Sequence, residues 1–440
     1  MTELFTEKRW TGEFFLPDSY ETRFWGDVHY TPEAGVILTY TIRGHNVPAE
    51  AEELHGVLSS GDKCTLIGKF SPYRSGTTMR NEQVSRLGKA GFLCLAIGDF
   101  LTHDERFSNI DFSLTNLQEF FYPKGHKDFV KYSEKPIYSV DTQFGRIEVG
   151  NTATFGALHS DIASHIYSQD PAALGELVQA FKVVETKYPE SYFMLKKEIA
   201  YRIFLKFKPE LTIQDTYEHI TSLSGLFALL IYNPVYPDSI RLTKHNPHEQ
   251  SISIALYPSM VLDPRTTELS TRERSHWQMP ITQSTVSLDA IISSWLQESQ
   301  NYLPIISSIQ HETGFRDDHA AHGEIVLYAT QFESISHIAG QKDKKYEYPI
   351  ASYGSQKLRQ GILKTFGVSL LEDAALAIGD LRNEIAHVGR PKRWLNTLTL
   401  GQLVRISQYL HLTIIGYILT KLGVSENLVG TYQDRFSPDG

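Results

Sequence analysis

The hexapeptide Arg382-Asn383-Glu384-Ile385-Ala386-His387 sets an arginine and a histidine five positions apart, and side chains of these two types can act on a phosphodiester. Histidine titrates near neutrality and can take a proton from a weak nucleophile, while a permanently charged arginine holds a phosphate through parallel hydrogen bonds. The pair needs no metal. On RNA, the ribose 2′-hydroxyl would attack its own 3′-phosphate, with His387 moving protons and Arg382 stabilising charge that develops on the phosphoryl oxygens. DNA lacks that hydroxyl and would be spared.

The element that must position these residues reads as a helix. In the run 370–381 apolar residues return every three or four positions, as on one buried helical face, so the hexapeptide starts on a helix. At about 100° per residue, Asn383 and His387 share a face whereas Arg382 and His387 diverge by about 140°. One ideal helix therefore does not aim both at one atom. Either the helix loosens after Ile385, as Gly389 and Pro391 favour, or a second copy of the helix completes the site.

Spacing alone discriminates poorly, because Arg316 and His322, and Arg405 and His411, nearly repeat it. Arg405 and His411 fall in a long apolar-rich helix at 400–419 and read as polar residues on its outer or partner-facing side. Arg382 differs from both in its surroundings: Asn383 follows directly, an apolar face precedes it, and a basic turn with Arg390, Lys392 and Arg393 comes after it. Those three can reach phosphates flanking a cut. Between residues 341 and 405 there are eleven Lys or Arg against six Asp or Glu, in a chain whose net charge is −9. The overall charge argues against indiscriminate coating of nucleic acid, and the local excess marks where RNA would approach.

Two other groups compete. Residues 56–65 nearly match a phosphate-binding loop, but Asp62 separates Gly61 from Lys63 and no helix pattern follows, so a hairpin turn is expected. His311, Glu312, Asp317, Asp318, His319, His322 and Glu324 form a richer cluster. His319 and His322 could share a helix face and hold zinc with a third residue. No His-Glu-x-x-His occurs, and acids with histidines at a helix start also suit capping and the helix dipole. The favoured reading has no metal and no cofactor.

At 440 residues the chain exceeds one ordinary domain, and its 41% hydrophobic content supports substantial cores. Cys64 and Cys94 make no disulfide framework and read as ordinary strand residues of a protein in a reducing cytoplasm. Residues 1–5 lack a signal-peptide pattern, and no apolar stretch reaches the roughly 20 residues of a membrane span, so a soluble, cytoplasmic protein without a membrane partner is expected. The aromatic residues, spread through the β region, read as core more than as base-stacking platforms.

The expected fold class is multidomain α+β. Residues 1–150 form a β-rich domain, a sandwich or barrel, with strands at 35–42, 63–70 and 91–97. Residues 151–282 are mixed, with helices at 172–186, 191–207 and 213–232, a strand at 251–257 and a connector at 258–285. Residues 283–440 carry helices at 286–309, 319–338, 355–366, 370–386 and 398–422, which make an all-α bundle.

Arg-Asn-x-x-x-His near a helix end resembles the signature of HEPN domains, all-helical modules of RNA-cleaving toxins and defence proteins. The N-terminal run Trp10-Thr11-Gly12-Glu13-Phe14-Phe15-Leu16-Pro17 resembles the N-terminal domain of ApeA-type HEPN proteins. Gly35-Val36-Ile37-Leu38, Leu54-His55-Gly56-Val57 and Cys64-Thr65-Leu66-Ile67 extend that likeness. Together the two resemblances cover most of the chain. They imply a metal-independent endoribonuclease of bacterial anti-phage defence acting by abortive infection, with tRNA as substrate class. Arg382 and His387 would be catalytic and Asn383 supporting, while Glu384 occupies a variable position. The resemblance also implies a homodimer through the HEPN domain, with two Arg382/His387 sets across a shared cleft, and N-terminal modules that restrain the site or sense a phage-derived trigger. Two other classes stay open: a HEPN-like bundle that grips RNA or a nucleotide without cutting it, and a metal-dependent hydrolase built on His319 and His322.

Overall fold

In the computed structural model, which describes residues 3–17, 19–43, 48–72, 76–80, 83–122, 135–157, 162, 166, 168–190, 194–244, 251–310, 321–387 and 389–438, alternating sequence becomes strand. The first run comprises β1 (Lys8–Leu16), β2 (Ser19–Thr31), β3 (Gly35–Arg43), β4 (Ala51–Leu58), β5 (Lys63–Phe70), β6 (Gly76–Arg80), β7 (Gln83–Phe92), β8 (Cys94–Ile97) and β9 (Arg106–Leu114). In β2, Phe24, Val28 and Tyr30 are buried while Arg23, Trp25 and Asp27 face outward, the period-2 pattern of a sheet with one covered face. After α1 (Leu117–Phe121) come β10 (Tyr138–Thr142), β11 (Gly145–Ala157), α2 (Pro171–Lys187), β12 (Met194–Thr212), α3 (Ile213–Ile231), β13 (Pro237–Lys244), β14 (Ile252–Pro258) and α4 (Pro264–Thr271).

Among the described residues fourteen strands join one sheet, in the order β10-β11-β12-β9-β13-β14-β8-β5-β4-β1-β2-β3-β7-β6, and the described pairings are antiparallel. β11 runs through residue 150, so strands on both sides of that residue share the sheet. From β5 to β7 the sheet curls. The chain leaves β7 through Leu93, whose N–H donates to Ile67 O at 2.8 Å, and continues as β8, which pairs with β5. Phe24 stacks on Phe70 at 5.6 Å and Phe70 on Phe92 at 6.5 Å inside this barrel-like turn. Cys64 and Cys94 lie in its strands as free, buried thiols, and burial pushes both up to about 12. The near-match to a phosphate loop is a hairpin turn between β4 and β5: Leu58 N–H donates to Asp62 O at 2.9 Å and Gly61 takes a φ of +90°.

One expected helix is a strand. Residues 191–207 contain helix-favouring Lys, Glu and Ala, yet 194–212 form β12. Tyr201, Ile203, Leu205 and Phe207 alternate with the less buried Phe204 and Lys206, and the strand is paired on both sides, by β11 and β9. Tertiary pairing overrides the local propensity there. Arg202, also on β12, is buried but satisfied, since its guanidinium bonds the Asp111 carboxylate and donates to Ser239 Oγ at 2.8 Å.

The helical region consists of α5 (Leu288–Gln310), α6 (Ala321–Ile338), α7 (Glu347–Tyr353), α8 (Gln356–Phe366), α9 (Leu371–Ala386), α10 (Arg393–Thr397), α11 (Leu400–Lys421) and α12 (Glu426–Phe436). The central element is α11, apolar on almost every side, with an unbroken buried run from 409 to 416 and α6, α7, α8 and α12 packed around it. His411 is part of that run. It is 2% exposed and stacks on Tyr328 at 5.1 Å, so it belongs to the core and not to the outer or partner-facing side expected for it, whereas Arg405 does face outward. The short α7 and α10, the later α12, and α4 inside the presumed connector were not anticipated.

Helices and sheet meet along α3. Trp295 Nε1 donates to Ser222 O at 2.9 Å, Tyr432 Oη to Leu229 O at 2.6 Å, and Arg435 to the carbonyls of Met279 and Trp277 at 2.9 and 3.0 Å. Among the described residues no helix is long and apolar enough to cross a membrane.

Candidate functional site

Helix α9 buries Ala374, Ala377, Ile378, Leu381 and Glu384 against its neighbours, and Glu372 and Asp373 in its first turn complement the helix dipole. Its outer face carries Leu376, Gly379, Asp380 and Asn383 along an open cleft of about 720 Å³. The opposite wall is the segment Lys342, Lys344, Lys345 and Tyr346. Gly379 is required there, because a Cβ would meet the Tyr346 ring at 2.9 Å. Tyr346 donates its hydroxyl to the Glu333 carboxylate. Burial first, and then that bond, hold the hydroxyl well above the ordinary tyrosine range, while the nearby positive charge of Arg382 pulls it down.

Arg382 and Asn383 are brought together, with Arg382 Nη1 donating to Asn383 Oδ1 at 3.1 Å. The helix then stops. His387 N–H makes the last helical bond, to Asn383 O at 3.1 Å, and His387 itself takes an extended backbone with φ −125° and ψ 113°. His387 leaves the cylinder one turn beyond Arg382 and is exposed.

The basic turn folds back on this helix end. Arg390 is exposed, and its N–H donates to His387 O at 3.2 Å. The Arg393 guanidinium lies 4.9 Å from the Trp394 ring centre. Lys392 points inward, its ammonium donating to the main-chain oxygen of Glu384 and to His387 O at 2.9 Å. The Glu384 carboxylate, 5% exposed, accepts from Trp394 N–H at 3.1 and 2.9 Å and from Leu395 N–H at 3.0 Å. These are first-turn amides of α10, and the α10 N-cap, Lys392, supplies no side-chain cap of its own. The tie that Lys392 makes to Glu384 and His387, and the roles of Glu384, Tyr346 and Glu333, went unread in the sequence. A signal existed for Glu384 alone, an acid at a position where the pattern 374, 377, 378, 381 calls for an apolar residue.

Of the competing cluster, His311, Glu312, Arg316, Asp317, Asp318 and His319 lie outside the described residues. His322 is half-buried on α6, and Glu324 bonds Ser407 at 2.5 Å. Among the described residues no group of three or more His, Cys, Asp or Glu could hold a metal ion.

Fold and site define a multidomain α+β protein: one large antiparallel sheet with helix α3 packed on it, joined to a helical region that ends α9 in an arginine, an asparagine and an exposed histidine. Residues 9–295 match the family described as ApeA N-terminal domain 1. The chain belongs to that family, which points to an anti-phage defence protein. No curated protein and no solved structure matches the chain.

Proposed function

We propose that this protein is a metal-independent endoribonuclease of anti-phage defence, and that its C-terminal helices are a HEPN domain cutting RNA, with tRNA as substrate class. His387 moves the proton of the 2′-hydroxyl and Arg382 stabilises the phosphoryl oxygens, with Asn383 holding the guanidinium. The observation that carries this reading is the end of α9, which leaves His387 exposed and off the helix one turn past the Arg382–Asn383 pair. Arg390 and Arg393 supply phosphate contacts, and Lys392 has a third N–H left for one. Dimerisation would set two such sites across a cleft. The outward face of α9, where Leu376 is 65% exposed beside Gly379 and Asn383, supports a second copy docking there.

The test is incubation of purified full chain with total RNA in EDTA, alongside His387→Ala and Arg382→Ala. Cleavage that persists in EDTA and disappears in both variants supports the ribonuclease. Cleavage lost in EDTA points to the metal-dependent alternative built on His319 and His322, and RNA retained without cutting by the wild type points to a binding module. A strictly monomeric mass in a protein that cleaves would sink the shared cleft.

A further inference from the structure

The connection from α9 to α10 is tied at both ends to a single residue. The Glu384 carboxylate caps the start of α10 through Trp394 and Leu395, and the Glu384 main-chain oxygen receives the Lys392 ammonium, which also holds His387 O. Glu384 sits on the turn of α9 that carries Arg382 and Asn383. His387 and Lys392 are therefore tied to the same helical turn that carries the guanidinium. A nearly buried carboxylate accepting from two backbone amides, one of them shared between its oxygens, is a strong anchor, because charge-assisted bonds exceed neutral ones and their loss would leave the donors unpaired.

We infer that Glu384, with Lys392, is a positioning residue for His387: it fixes where the histidine leaves the helix and so its place relative to Arg382. This rests on the reading of Arg382 and His387 as the reacting pair. A capping role confined to α10 would stabilise that short helix and leave the reaction untouched. A positioning role makes turnover depend on Glu384 while substrate binding does not, since a misplaced catalytic group costs about a hundredfold in rate.

The experiment uses the full chain carrying Glu384→Ala, Glu384→Gln or Lys392→Met, with two readouts. In hydrogen exchange, Glu384→Ala is expected to speed exchange at the amides of His387, Trp394 and Leu395 and to leave those of α11 unchanged. In steady-state RNA cleavage, kcat is expected to fall by about a hundredfold with KM within about twofold. Glu384→Gln keeps one acceptor oxygen and falls between wild type and alanine on both readouts. Lys392→Met, which leaves the carboxylate and its amides in place, repeats the faster exchange at His387 and the fall in kcat more weakly, while KM rises with the lost phosphate contact. The inference is overturned if the His387 amide stays protected in Glu384→Ala, or if kcat is unchanged while 394 and 395 loosen. Cleavage that survives Arg382→Ala and His387→Ala counts against the ribonuclease reading instead. Exchange at His387 needs no activity and still decides whether Glu384 holds it.

Discussion

The end of α9 and the middle of α11 carry almost the same arginine-to-histidine spacing and put it to opposite uses. On α11 the helix continues through both residues, so Arg405 turns to solvent while His411 turns into the core and stacks on Tyr328. On α9 the helix stops before the histidine, and His387 emerges exposed beside a turn pinned by Glu384 and Lys392. The chemistry available to a histidine thus depends on whether its helix ends. A buried imidazole stacked in a core is closed to solvent, whereas one released at a helix end is open to it.

Substitutions can break or sharpen this contrast. The largest effect is expected at α9, where His387→Ala or Arg382→Ala should lower RNA cleavage in EDTA by about 10² to 10⁴, with unfolding free energy changed by no more than about 0.5 kcal/mol at the exposed His387 and by about 1 kcal/mol at the half-buried Arg382. An equal loss of cleavage in His411→Ala, at unchanged stability, would reverse the comparison. Next comes the core: His411→Ala opens a cavity beside Tyr328, and urea unfolding should show a loss of about 2 to 4 kcal/mol. A smaller loss, about 1 kcal/mol, is expected for Thr399→Ala, which removes the capping box that starts α11 with Gln402. Smallest is Arg405→Ala, exposed on α11, which should leave stability within about 0.5 kcal/mol and cleavage unaltered. A clear loss of cleavage there would mean that Arg405 also reaches RNA.

The contrast also shows what the sequence discloses. Long elements with strong periodicity were legible: α3, α5, α8, α9 and α11 fall within a few residues of expectation, and Ser355 and Thr399 cap their helices through side-chain oxygens. Residues 194–207 were misread because Lys, Glu and Ala favour a helix locally, and only the partners β11 and β9 turn the segment into β12. The hexapeptide stood out through composition and context. Its support did not, because Glu384 acts on amides ten and eleven residues downstream and Tyr346 meets α9 only where Gly379 leaves room. Contacts of that kind are properties of the packed chain, and no short-range pattern encodes them. The sheet order was likewise hidden, since β9 lies between β12 and β13, far from its neighbours in sequence.

The hydrogen bond from Tyr432 to Leu229 has a consequence for how the molecule is made. Its two ends lie 203 residues apart. At roughly 5 to 20 residues per second of synthesis, the apolar end of α3 waits roughly 10 to 40 s before α12 emerges to cover it. During that interval the Leu229 carbonyl lacks the hydroxyl that meets it in the finished protein, and the Tyr232 ring lacks its neighbours Tyr432 and Phe436. Assembly of the helical region against the sheet is thereby placed under the timing of translation.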